Sequence, residues 1–155
     1  MSLARTMFQE ERLNRNMDIQ PDIVVDISRK GDYLTSGNSD IYVFGTEVVK
    51  ELEEYAHYPY PRKLLGFKVN KFVENGKETN LPKNIENVEA ILVYFYRHWT
   101  APILLKVIVS GEENDGFRKH FYIKDINDEW KYQSYDSDTN PYSKVYEIID
   151  RIKRL

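Results

Sequence analysis

Between Val88 and Arg97 the apolar side chains fall on both parities of an extended chain, with Ala90, Leu92, Tyr94 and Tyr96 on one and Ile91, Val93 and Phe95 on the other. A strand with one wetted face alternates apolar with polar residues, so a strand that is apolar on both sides has to be central and covered on each face. The rest of the chain must therefore supply two apolar layers. It has 155 residues, 41% hydrophobic and 30% charged, enough for one domain with a real core and outside the disordered and membrane-embedded classes.

The segments around this strand carry β signals. Ile23-Val24-Val25-Asp26-Ile27 is a short β-branched run closed by Gly31-Asp32, and Ile41-Tyr42-Val43-Phe44 is a second run, between a Gly37-Asn38 turn and Gly45. Leu65, Phe67, Val69 and Val73 alternate with polar residues ahead of an Asn75-Gly76 turn, and Leu81-Pro82-Lys83-Asn84 reads as a loop. After a loop at His98 to Pro102 come Ile103 to Val109, an acidic turn from Gly111 to Gly116, Phe117 to Ile123 with Phe121 and Ile123 inward, and Glu129 to Tyr132. Apolar runs joined by short polar turns predict an antiparallel meander.

Thr46 to Ala56 is ambiguous. Thr46 suits a helix cap, and Val48, Val49, Leu52, Tyr55 and Ala56 follow helical spacing, which on propensity alone predicts a helix ended by Pro59 and Pro61. The Tyr58-Pro59-Tyr60-Pro61 segment is expected to be extended. The carboxyl end is a clearer helix, with Asn140 as cap, Pro141 at the first position, and Val145, Ile148, Ile149, Ile152 and Leu155 at helical spacing. The expected fold class is α+β: a mainly antiparallel sheet of five to seven strands with the Pro141–Arg154 helix packed on one face. Residues 1–20 read as an amino-terminal arm, loosely ordered, with Met1-Ser2-Leu3 in the form of an expression-vector remnant. Residues 21–155 read as a single domain.

Several chemistries are excluded or disfavoured by composition. Lys and Arg total 22 against 25 Asp and Glu, a formal charge of -3, so nothing electrostatic invites nucleic acid. Without Cys there is no disulfide framework, thiolate metal site or cysteine nucleophile, although the compartment stays open. The apolar stretch Ala90 to Tyr96 falls far short of the roughly 18 residues of a membrane span. Met1 to Met17 lacks the apolar centre of a signal peptide.

No side-chain pattern points to catalysis. His57, His98 and His120 are well separated, with no partner at metal-ligand spacing or beside an activated nucleophile, and each suits packing or the surface. Asp136, Asp138, Asn140 and Glu147 fall at calcium-loop spacing, but Pro141 stands where that loop needs Gly, and a helix start explains the pattern better. Gly76-Lys77-Glu78-Thr79 lacks the rest of a phosphate loop and reads as a hairpin. No catalytic residue, metal ligand or cofactor is therefore expected. The chain carries twelve Tyr, seven Phe and two Trp, and two aromatic clusters stand out, Tyr55, His57, Tyr58 and Tyr60, and Tyr94, Phe95, Tyr96, His98 and Trp99. These either fill a thin sheet core with their hydroxyls at its edges, or form a protein- or glycan-binding face.

The segment order adds a family resemblance. "VVDIS", "EEYAHYP", "FKVNKFVENGKETNLP", "VEAILVYFYRHWTAPILLKVIV", "HFYIKD" and the lone Trp130 before a terminal helix resemble the FAINT domains of Theileria-type piroplasm parasites, from about Ile23 to Leu155. The resemblance implies a secreted or host-exposed protein without assigned enzymatic activity. On that reading it binds a host or parasite protein through an aromatic face. It also implies that Tyr55 to Pro59 is extended, which opposes the helix suggested by propensity. A second reading is a small-molecule or enzymatic domain, with a cavity lined by Tyr94, Tyr96, His120 and Tyr122. Partner identity and oligomeric state stay open.

Overall fold

A computed structural model describes residues 20–34, 40–49, 51–60, 66–111, 116–134 and 140–154. The strands are β1 (Asp22–Asp26), β2 (Tyr33–Leu34), β3 (Asp40–Val49), β4 (Leu52–Tyr60), β5 (Phe67–Glu74), β6 (Lys77–Glu78), β7 (Ile85–Tyr96), β8 (Leu104–Ser110), β9 (Phe117–Lys124) and β10 (Trp130–Gln133), followed by helix α1 (Pro141–Lys153). They form one sheet in the order β10-β9-β8-β7-β4-β3-β2. The free side of β7 is shared, its Ile91–Tyr96 half pairing with β4 and its Ile85–Val88 half with β5. The β1–β5 pair is parallel, and every other pairing among the described residues is antiparallel. The architecture is thus the mainly antiparallel α+β meander expected from the sequence.

The two parities of β7 divide the interior. Ile91, Val93 and Phe95 join Ile23, Val25, Ile41, Phe67, Phe72, Leu105 and Trp130 in a first core. Tyr94 and Tyr96 point the other way, into a second core with Leu52, Leu104, Phe121, Ile123 and the Val145, Ile148 and Ile149 stripe of α1. Two such layers are what a doubly apolar strand requires. Helix α1 begins as expected, with Asn140 Oδ1 accepting the Tyr142 amide at 2.9 Å and Pro141 in its first turn. Arg151 and Lys153 stand in its last turn, where cations suit the dipole.

Three expectations change. Thr46 to Ala56 is not a helix, because β3 runs on to Val49 and β4 begins at Leu52, with Val49 opposite Leu52 and Glu51 at φ +66°. β4 is paired on both sides, to β3 and to β7, and those ladders outweigh a weak local helical preference. This hairpin and the two-residue strands β2 and β6 raise the sheet to ten strands, above the expected five to seven. The alternation assigned to β5 also breaks. The β1 register steps from Ile23↔Val69 to Val24↔Lys71, so Asn70 is an extra residue. Beyond it Phe72 is buried and Val73 only half-buried. The amino-terminal arm and the Gly37-Asn38 turn lie outside the described residues, as do Asp136 and Asp138 of the weighed calcium pattern.

Candidate functional site: an exposed aromatic face

Cross-strand partners in an antiparallel pair share a face. The registers Leu34↔Asp40, Asp40↔Tyr60, Tyr42↔Tyr58 and Phe44↔Ala56 therefore put Leu34, Tyr42, Phe44, Tyr58 and Tyr60 on one side of β2–β3–β4. The period of two along β4 puts Glu54 and Leu52 on that side as well. Because Leu52 belongs to the core under α1, the aromatic group lies on the helix-bearing side of the sheet, beyond the part the helix covers. Tyr42 stacks on Tyr60 with ring centres 4.6 Å apart and planes within 8°, and Phe44 lies nearly parallel to Tyr58 at 6.3 Å. Leu34 is 77% exposed, Phe44 63% and Tyr60 52%, while Tyr58 is half-buried and also touches the first core. The Tyr42 hydroxyl is held above its ordinary pKa, first by desolvation and then by Tyr60 and Asp40.

The eight residues singled out in the sequence do not form one site. Only Tyr58 and Tyr60 lie on this face. Tyr55 is half-buried on the opposite side, where its ring lies against Gly45 so closely that a Cβ there would come within 2.6 Å of it, and it meets Phe95 edge-on at 5.5 Å. His57 is buried in the first core, with Nδ1 2.9 Å from the Tyr33 hydroxyl, and burial lowers its pKa to about 4 against an opposing pull from Asp26. Tyr94 is buried beneath α1, donating to Glu54 Oε2 at 2.6 Å, with its hydroxyl pKa pushed up by desolvation and by that bond. Tyr96 donates to Glu51 Oε2 at 2.8 Å and accepts from Lys153 at 2.6 Å. Arg97 closes the same corner by an ion pair with Glu51, whose carboxyl the Arg97 and Tyr96 bonds hold below its ordinary pKa. Trp99 packs edge-on to Tyr96 at 5.2 Å, and His98 is exposed.

Tyr42, Phe44 and Leu34 were missed as site residues. The signal was available in part: in Ile41-Tyr42-Val43-Phe44 the aromatic residues occupy the parity opposite Ile41 and Val43. Sequence alone did not show that β4 would bring Tyr58 and Tyr60 beside them.

The cavity expected from Tyr94, Tyr96, His120 and Tyr122 does not form. Tyr94 and Tyr96 face α1, whereas Tyr122 packs against the first core on the other side of the sheet, on the parity of His120. His120 contacts the Tyr132 hydroxyl at 3.4 Å and not a carboxylate. A separate cleft of about 490 Å³ lies beside Lys124 and Trp130, but the Lys124 ammonium there is 2.5 Å from Glu74 and stacked on the Trp130 ring. Among the described residues no cluster of His, Asp or Glu is grouped to hold a metal, and no helix is long and apolar enough to cross a membrane.

The chain matches no family model, no curated protein and no solved structure.

Proposed function

We propose that the chain is a non-enzymatic interaction module of the FAINT type, secreted or host-exposed, which binds a host or parasite protein through Leu34, Tyr42, Phe44, Tyr58 and Tyr60. The observation that carries this reading is the stacked aromatic group outside the cover of α1, in which Phe44 and Tyr60 are exposed and Tyr42 and Tyr58 half-buried. Aromatic side chains grouped at a surface are enriched where proteins meet partners, and Tyr supplies rigid contact area at low entropic cost. The cavity reading has lost its geometric basis, because its four residues point to opposite faces.

The test is a pull-down from host-cell lysate comparing the natural chain with Tyr60→Ser and Tyr42→Ser. A protein retained by the natural chain and lost with both variants, at unchanged melting temperature, supports the reading. A protein retained equally by all three refutes it, as does recovery of nothing specific while a metabolite screen gives a thermal shift.

A further inference from the structure

We propose that the pocket between α1 and the β9–β10 end of the sheet binds a small apolar monocarboxylate, an aromatic or branched aliphatic acid, with its hydrocarbon part on Ile123, Ile126 and Ile148 and its carboxylate at Arg151. This pocket lies at the far end of the sheet from the aromatic face and shares no residue with it. Its floor follows from the strand register. Lys131 is the cross-strand partner of Ile123 and Gln133 that of Phe121, so this parity of β10 faces the helix-bearing side. On α1, Lys144, Ile148 and Arg151 recur at helical spacing and share one face. Strand and helix leave between them a recess of about 180 Å³, with Ile123 and Ile148 buried at its base.

A further wall is Ile126, which is 40% exposed. The β9–β10 turn fixes its position. Asp125 Oδ1 accepts the Asn127 amide at 2.9 Å and the Glu129 amide at 3.0 Å, and the Asp125 amide donates to the Glu129 carbonyl at 2.8 Å. An isoleucine held on a closed turn beside two buried isoleucines makes a preformed aliphatic slot. An apolar cavity of about 150 Å³ takes a benzene ring, so this recess suits one ring or a branched chain of similar bulk and is too small for a long acyl chain.

The charged lining selects the sign of the ligand. Lys131, Lys144 and Arg151 line the pocket against a single carboxylate, Asp125, one oxygen of which is already spent on two amides. Lys131 meets Glu129 at 3.2 Å and Lys144 meets Glu147 at 3.5 Å, but these side chains are all more than half exposed, and such pairs are weak enough to exchange. Arg151 forms no ion pair among the described residues. Its guanidinium can take both oxygens of a carboxylate, which a neutral or cationic ligand does not offer. Inorganic phosphate would meet the cations and leave the isoleucine slot empty. An apolar group carrying one carboxylate satisfies both halves of the pocket.

Titration of the isotope-labelled natural chain with phenylacetate at neutral pH, followed by amide chemical shifts, tests this. Expected is a saturable shift of the Ile126, Lys131 and Ile148 amides with a dissociation constant below about 5 mM, and at least about fivefold weaker binding of the uncharged phenylacetamide and of acetate. Arg151→Gln should weaken phenylacetate at least about fivefold and leave phenylacetamide unchanged, whereas Ile126→Ser should weaken both. No saturable shift at these amides up to about 20 mM overturns the proposal, as does equal binding of the acid and the amide. So does phenylacetate binding that Arg151→Gln and Ile126→Ser both leave intact. If a variant does not fold, the comparison of phenylacetate, phenylacetamide and acetate on the natural chain decides alone. Tyr60→Ser lies off this pocket and should leave phenylacetate binding intact, so failure of the pocket and failure of the binding-face reading are told apart.

Discussion

The hydroxyl of Tyr33 lies 2.9 Å from Nδ1 of His57, and the same oxygen accepts the Asp26 amide at 3.1 Å. In the neutral ring that burial enforces, Tyr33 donating to Nδ1 leaves the hydroxyl oxygen for the Asp26 amide and places the ring hydrogen on Nε2. Nε2 is buried and makes no hydrogen bond of ordinary geometry, and the Arg29 backbone near the ring only partly offsets the burial that holds the ring neutral. Protonating this ring would give up the Tyr33 bond and bury a charge, so the neutral form is strongly preferred.

Stability should therefore fall on mild acidification. The His57 pKa is lowered from 6.5 to about 4 in the folded chain, so between those values the unfolded chain binds the extra proton and the folded chain does not. The stabilising contribution is complete above about pH 6.5, shrinks as pH falls toward 4, and amounts to roughly 3 kcal/mol over the full window. Urea denaturation of the natural chain and of His57→Phe at pH 7 and pH 5 would check this. The natural chain should lose stability between the two, and the variant should lose markedly less.

Asn140→Ala should destabilise the domain by about 1 kcal/mol. Asn140 Oδ1 accepts the Tyr142 amide, and without it a donor at the helix start has only water. The helix holds Val145, Ile148 and Ile149 against the sheet, so the loss should appear in the cooperative transition of the whole domain. A single calorimetric transition at lower melting temperature is expected, and Asn140→Asp should restore it.

Lys124 and Glu74 should show strong coupling. Their side chains are 7% and 19% exposed and 2.5 Å apart, and the pair ties the β5–β6 hairpin to the end of β9. Removing one partner strands the other, so Lys124→Met should cost about 2 kcal/mol, while Lys124→Met combined with Glu74→Leu should recover much of it. A double-mutant cycle by urea denaturation reads this directly, and additive losses would show the pair to be independent.

The parts of the fold that were legible in the sequence are those fixed by local pattern. The double parity of β7, the Asn75-Gly76 hairpin and the Asn140-Pro141 helix start each state their structure within a few residues. Thr46 to Ala56 did not, because Val48, Val49, Leu52, Tyr55 and Ala56 satisfy a helical period as well as a strand, and pairing with β7 at long sequence separation decides between them. The extra residue at Asn70 was equally hidden, since a bulge shifts parity without a sequence mark of its own. The exposed aromatic face was hidden in the same way: Tyr58 and Tyr60 were visible as a cluster, but Tyr42 and Phe44 join them only once β3 and β4 are in register.

Exposed and core aromatics should separate cleanly in stability. Phe44 and Tyr60 keep most of their surface in water, so Phe44→Ser or Tyr60→Ser forfeits little beyond a cross-strand stack, at most about 1 kcal/mol. Phe95 is fully buried in the first core, with Lys30 lying over its ring at 4.5 Å, and Phe95→Ala should cost about 3–5 kcal/mol. Urea midpoints at pH 7 for the three variants would test the distinction. If Tyr60→Ser proved as damaging as Phe95→Ala, the outer aromatic group would be holding the sheet together instead of awaiting a partner, and the proposed binding face would have to be abandoned.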